Sequence, residues 1–173
     1  MGLNVGCRLT ELSDVAQDAR IPLALLYPTQ QPEQTERFGP YALDVARDAP
    51  LDGQRVALIA ISHGNGGSPW VHRDLAKRLA QAGYVVALPE HTGNSRNDNS
   101  LAGTAANLAN RLRHITLAID AACADVVVGK ALASDRVGVV GHSIGACTAL
   151  AVAGGKPVTG PARRVMEGRI LCA

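Results

Sequence analysis

Three short runs limit most what this chain can become: RVALIAIS at 55–62, YVVALPEH at 84–91 and RVGVVG at 136–141. Each is nearly continuous in apolar residues and rich in Val and Ile. Such runs suit strands buried on both faces, whereas a sheet with one wet face would alternate apolar and polar residues. Helix-length segments separate them. In PWVHRDLAKRLAQAG (69–83), Pro69 suits a first turn and Gly83 the position just past a helix end, with Trp70, Leu75 and Leu79 along one side. Residues 101–129 read mainly as helix, with Leu108, Leu112, Ile115, Leu117 and Ile119 as the apolar stripe, and SIGACTALAVAGG supplies a third helix. Strands alternating with helices at this length predict an α/β fold of βαβ units, a mostly parallel sheet with helices on both faces.

Towards the N-terminus VGCRLTELSD and RIPLALLYPT each suit a short strand, the second as a peripheral antiparallel one. Residues 28–54 are polar and punctuated by Pro and Gly, and read as mostly loop. A chain of 173 residues is taken as one domain, 1–173. The formal charge of +2 is small and scattered, and aromatic residues make up 3%, so neither a basic footprint nor a stacking platform for nucleic acid is present. Cys7, Cys123, Cys147 and Cys172 have no paired spacing, so no metal site and no disulfide framework is expected, only incidental thiols. No apolar run approaches the roughly 18 residues of a membrane span, and Met1 does not open an export signal, which leaves the cytoplasm as the default expectation.

Chemistry gathers at two strand ends. G-H-S-I-G (141–145) follows the third buried run and leads straight into a helix, the context in which a Gly-x-Ser-x-Gly motif raises its serine on a sharp turn. Side chains at Gly141 and Gly145 would crowd the neighbouring elements, and Ser143 would stand at a helix N-terminus that favours developing negative charge. Ser143 as an ordinary helix cap is the plainer reading. The second motif is S-H-G-N-G-G (62–67), just after the first buried run. A nucleophilic serine needs two N–H donors for the oxyanion of its tetrahedral intermediate, and Gly64 and Gly66 allow a loop to turn one inward. The alternatives are a glycine-rich turn or a phosphate cradle; the loop lacks G-x-G-x-x-G, a Walker lysine and an acidic ribose ligand.

Taken in order, LLYPT, FGPY, LIAISHGNGG, GYVVALPEHTGN and VVGHSIGACTALAVAG resemble the α/β-hydrolase superfamily. More narrowly they resemble the dienelactone-hydrolase-like branch related to platelet-activating-factor acetylhydrolase. The resemblance implies a serine esterase that uses no cofactor and takes a small-molecule ester, such as a short acyl group on a lipid-like alcohol, a role in lipid degradation. It implies Ser143 as nucleophile and the N–H groups of Asn65 and Ile144 as the oxyanion hole.

The chain departs from that family in its base. The superfamily orders its triad as serine, then acid, then histidine, but after Ser143 there is one carboxylate, Glu167, and no histidine. Residues 156–173 read as the start of a truncated post-elbow segment, so the expectation is the N-terminal portion of a hydrolase domain with impaired turnover. Of the upstream histidines, His142 is expected to pack into the sheet surroundings, His63 belongs to the glycine loop, and His72 and His114 fall on helices as solvated or capping residues. His91 ends a neighbouring strand at the same sheet edge and is the upstream candidate for a base. A hydrolase-like protein that binds without turnover, or a peptidase or amidase of the same fold, stays open beside the esterase. RVGVVG would also be left with an unpaired apolar edge, through which the chain is expected to self-associate.

Overall fold

The computed structural model describes residues 3–156. Seven strands form one sheet in the order β3-β4-β1-β2-β6-β5-β7. They are β1 (Asn4–Asp14), β2 (Ala19–Thr29), β3 (Gln34–Phe38), β4 (Tyr41–Arg47), β5 (Val56–Ser62), β6 (Val85–Pro89) and β7 (Leu132–Gly141). The helices are α1 (Arg73–Gln81), α2 (Ala105–Ala124) and α3 (Ile144–Val152).

The three apolar runs become β5, β6 and β7, which pair in parallel with β5 in the middle. Their connections are α1, between β5 and β6, and α2, between β6 and β7. Ala76 and Ala80 of α1 pack on one face of the sheet with Val86, Leu88 and Ile61. Ile115, Ala118 and Ala122 of α2 pack on the other with Leu58, Ala60, Val85 and Ala87. Two buried layers therefore sandwich the sheet, and the alternation of each strand divides its side chains between them.

The N-terminal half is mixed: β1 pairs antiparallel with β2 along 11 residues and β2 antiparallel with β6, while β1 meets β4 in parallel at Gly6 and Cys7. β2 is not peripheral, because β6 takes its second side and every residue from Leu23 to Thr29 is buried. The segment 28–54 is not mostly loop either. β3 and β4 form a hairpin through Gly39 and Pro40, with Gly39 at φ +59. Its inward residues Phe38, Leu43 and Val45 are buried, and Phe38 stacks on Trp70 at 3.8 Å. Short strands with a charged outer face look like loop by composition, and only the alternation reveals them.

Of the expected stripe, Trp70 and Leu79 pack against the core while Leu75 lies 43% exposed, and within α1 the fully buried contact is made by Ala76 and Ala80. In α2 the departure is larger. Leu108 and Leu112 are exposed, while Asn107, Arg111 and His114 face inward beside Ile115. Cys7 and Cys123 are free thiols, the second exposed. Cys147 on α3 is disulfide-bonded, which corrects the expectation of unpaired cysteines there. The post-elbow segment, Glu167 included, lies outside the described residues.

Candidate active site

β7 ends at Gly141 and α3 begins at Ile144, so Ser143 sits on a two-residue strand-to-helix turn. Its backbone is at φ 56 and ψ −127, a conformation that an L-residue adopts at a cost of about 1–3 kcal/mol. As the helix N-cap it makes no side-chain capping bond, so the plain capping reading fails. The side chain is exposed, and its hydroxyl bonds no described residue. Both motif glycines are required by close approach: a Cβ on Gly141 would run into the Gly145 carbonyl, and a Cβ on Gly145 would meet the carbonyls of Ser62 and His63.

That second contact places the glycine loop against the elbow. The His142 N–H donates to the Ser62 carbonyl at 3.1 Å, and a Cβ on Gly64 would stand 3.4 Å from the Ser143 Cβ. Within the loop, the Gly64 carbonyl accepts from the Gly67 N–H at 3.1 Å and from His63 Nδ1 at 2.8 Å. In a trans peptide the Asn65 N–H points opposite to that carbonyl, out of the turn. Neither the Asn65 nor the Ile144 N–H donates to a described residue. Gly66, at φ +60, completes the turn.

Behind the loop lies a buried polar network that the motifs do not announce. Arg111 of α2 is fully buried, and no described carboxylate pairs with it. Its Nη1 donates to Asn94 Oδ1 at 2.8 Å, its Nε to Thr148 Oγ1 at 3.2 Å, and its Nη2 to Ser62 Oγ at 3.1 Å and also to the His63 carbonyl. Asn94 donates onward to Asn65 Oδ1 at 2.6 Å and to Asn99 Oδ1 at 2.7 Å.

Donor and acceptor requirements fix the rest. Gln17 Oε1 can only accept, so His114 is protonated on Nε2, His91 on Nδ1, and the Ser62 hydroxyl, which also accepts from Arg111, donates to His91 Nε2 at 2.8 Å. His91 Nδ1 donates to His114 Nδ1 at 3.3 Å. His114 donates from Nε2 to Gln17 Oε1 at 2.8 Å, with Asp14 Oδ2 at 3.4 Å. Asp14 is held by Arg113 through a 2.6 Å bond, which keeps its carboxyl below the usual range. Burial pushes His63 and His114 down to about 4 and His91 well below its ordinary value, and the Arg111 charge adds to each shift. Arg111 itself is lowered to about 10 by the same desolvation.

Two histidine expectations change. His114 is no surface group but a buried link in this chain. His142 does not turn into the sheet; it is exposed, with its ring edge-on to His72 at 5.3 Å. Both ring nitrogens of His91 are occupied, by Ser62 and His114, so the ring has none left for Ser143. The elbow motif pointed to Ser143, Gly141 and Gly145, and the glycine loop to Gly64, Gly66 and Asn65. Nothing in either motif pointed to Arg111, Asn94, His114 or Thr148. For Arg111 and His114 the one signal was spacing: with Asn107 they stand four and three residues apart, on one face of α2.

The hydrolase family described as "Serine aminopeptidase, S33" matches residues 53–173. A ferulic acid esterase from Streptomyces cinnamoneus superposes with a TM-score of 0.73 at 21% identity, over 87% of this chain and 55% of that one. A dienelactone hydrolase from Anabaena variabilis gives 0.54 at 16% identity, over 84% of this chain and 57% of that one. A dienelactone-hydrolase-like promiscuous phosphotriesterase from metagenomic libraries gives 0.56 at 15% identity, over 87% and 54%. The fold is thus the α/β-hydrolase fold, and the chain spans about half the length of these structures. No curated protein matches it.

Proposed function

This chain belongs to the S33 serine aminopeptidase family of hydrolases, and we propose that it carries the nucleophile half of a serine esterase active site. The observation that carries the reading is the strained, uncapped Ser143 at φ 56, with the glycine loop packed against it. Ser143 Oγ is the nucleophile, and the Asn65 and Ile144 N–H groups, both free of other described partners, stabilise the tetrahedral oxyanion. The α3 N-terminus adds a favourable field for that charge. The substrate is a carboxylic ester with a short acyl group, of a lipid-like alcohol by the resemblance of the sequence. The names of the neighbours, an esterase and a dienelactone hydrolase, agree with ester chemistry.

The reaction forms the Ser143 Oγ–acyl bond as the ester C–O bond breaks, and the hydroxyl proton passes by way of a base to the leaving oxygen, so that an alcohol departs. Among the described residues no side chain bonds the Ser143 hydroxyl, and a serine without a positioned base acylates slowly. What remains is the roughly 10³–10⁴-fold over water that the oxyanion hole and positioning supply when the triad is incomplete. The test is exposure of the chain to p-nitrophenyl acetate, with peptide mapping of the acetyl group and comparison with Ser143→Ala. Slow acetylation of Ser143, unchanged in His91→Ala, is the expected result. Efficient turnover abolished by His91→Ala would move the base upstream. A Ser143 that stays unmodified would favour the second reading, a hydrolase fold that binds without turnover.

A further inference from the structure

Arg111 reaches both halves of the proposed oxyanion hole. On one side its Nη2 donates to the His63 carbonyl, and its Nη1 holds Asn94, whose amide grips the side chain of Asn65. On the other its Nε donates to Thr148, whose hydroxyl donates at 3.2 Å to the carbonyl of Ile144 in the first turn of α3. A third bond fixes Ser62, whose carbonyl receives the His142 N–H of the elbow.

We propose that Arg111 is a positioning residue for ester cleavage, the buried fork that sets the spacing between the Asn65 and Ile144 N–H donors. This inference rests on the proposed roles of Ser143 and those two donors. A buried guanidinium with no carboxylate partner among the described residues carries a large desolvation cost, and only multiple well-aligned acceptors offset it. Here four neutral oxygens do so. Two belong to the segment 62–63 at the loop's root, one to the loop's clasp and one to the elbow helix. The planar fork suits Arg and no other side chain: Lys would keep the charge but could not span Thr148, Asn94 and Ser62 together. The buried Ser62–His91–His114–Gln17 chain serves this purpose too, because it takes the Ser62 proton and fixes the hydroxyl in the orientation that receives Arg111. Arg111 touches neither nucleophile nor donor N–H. Its effect runs through the loop and the helix, and appears only when an oxyanion must be held.

The experiment follows the Ser143 acetylation rate of the 173-residue chain against p-nitrophenyl acetate concentration, giving a limiting rate and a half-saturation concentration. Circular dichroism checks the fold of each variant. Arg111→Met is expected to lower the limiting rate about 100-fold with little change in half-saturation, since a misplacement near 1 Å or loss of one donor has that order of effect. Arg111→Lys is expected to stay close to Met, as geometry and not charge is what is lost. Asn94→Ala, which cuts only the clasp to Asn65, is expected to cost about 10-fold. A folded Arg111→Met chain with the wild-type limiting rate, or full recovery in Arg111→Lys, overturns the proposal. Should Arg111→Met fail to fold, Asn94→Ala decides, and a wild-type limiting rate there overturns it. An unmodified Ser143 in the wild-type chain refutes the esterase reading itself, and the inference with it.

Discussion

Acidification should unfold this protein through its buried histidines rather than through its carboxylates alone. His63, His91 and His114 are at most 1% exposed and are held neutral, each bonding through both ring nitrogens. The charged groups around them are Arg111, Arg113 and Asp14, and only Asp14 favours a protonated ring. His63 and His114 fall from the ordinary 6.5 to about 4. Between those values the unfolded chain binds more protons than the folded one, so stability is fully present above pH 6.5 and drains away as pH falls towards 4. Integrating across the shift gives a loss of about 2 kcal/mol per ring by pH 5, hence about 4 for the two. His91, pushed lower still, adds in the same direction. Against the 5–15 kcal/mol typical of a whole domain, that is a large share. Urea unfolding followed by circular dichroism at pH 7.5, 6.5, 5.5 and 5.0 measures it. A change under about 1 kcal/mol between pH 7.5 and 5.0, or imidazole NMR signals of these rings titrating near 6.5 in the folded chain, would refute the reasoning.

Two further outcomes follow from the same geometry. Ser143→Gly should be more stable than Ser143→Ala by about 1 kcal/mol, because both lack the hydroxyl but only glycine relieves the backbone at φ 56; equal melting temperatures would show the turn to be unstrained. β7 is the last strand of the sheet among the described residues, and Val137 and Val140 are each 39% exposed. The chain should therefore self-associate through 136–141, and Val140→Lys should shift it towards monomer in sedimentation velocity; a wild-type monomer at all concentrations would count against a free edge.

The contrast between what the sequence made plain and what it hid has a physical origin. β5 and β6 were legible because strands covered on both faces must be apolar throughout, a pattern no loop imitates; β7 has the same spelling, yet among the described residues it is largely exposed, so its expected burial on both faces does not hold. The elbow was legible because Ser143 can adopt its turn only if Gly141 and Gly145 lack side chains, which leaves a fixed spelling. The hairpin β3–β4 was hidden because few of its residues, Phe38, Leu43, Val45 and Ala46, are buried, and Pro and Gly around them suggest a loop. The first half of α2 was misread for a deeper reason. The rule that a helix buries its apolar stripe assumes that it covers the middle of a sheet, where backbone groups already pair with one another. Residues 107–114 instead cover the strand ends, where the His63 carbonyl and the Ser62 hydroxyl have left the ladder and need partners. A donor-only side chain answers that need and a leucine cannot, so Arg111 and His114 go in while Leu108 and Leu112 go out. Where a helix passes over strand ends, a polar stripe at helical spacing carries the information that hydropathy assigns to the solvent side.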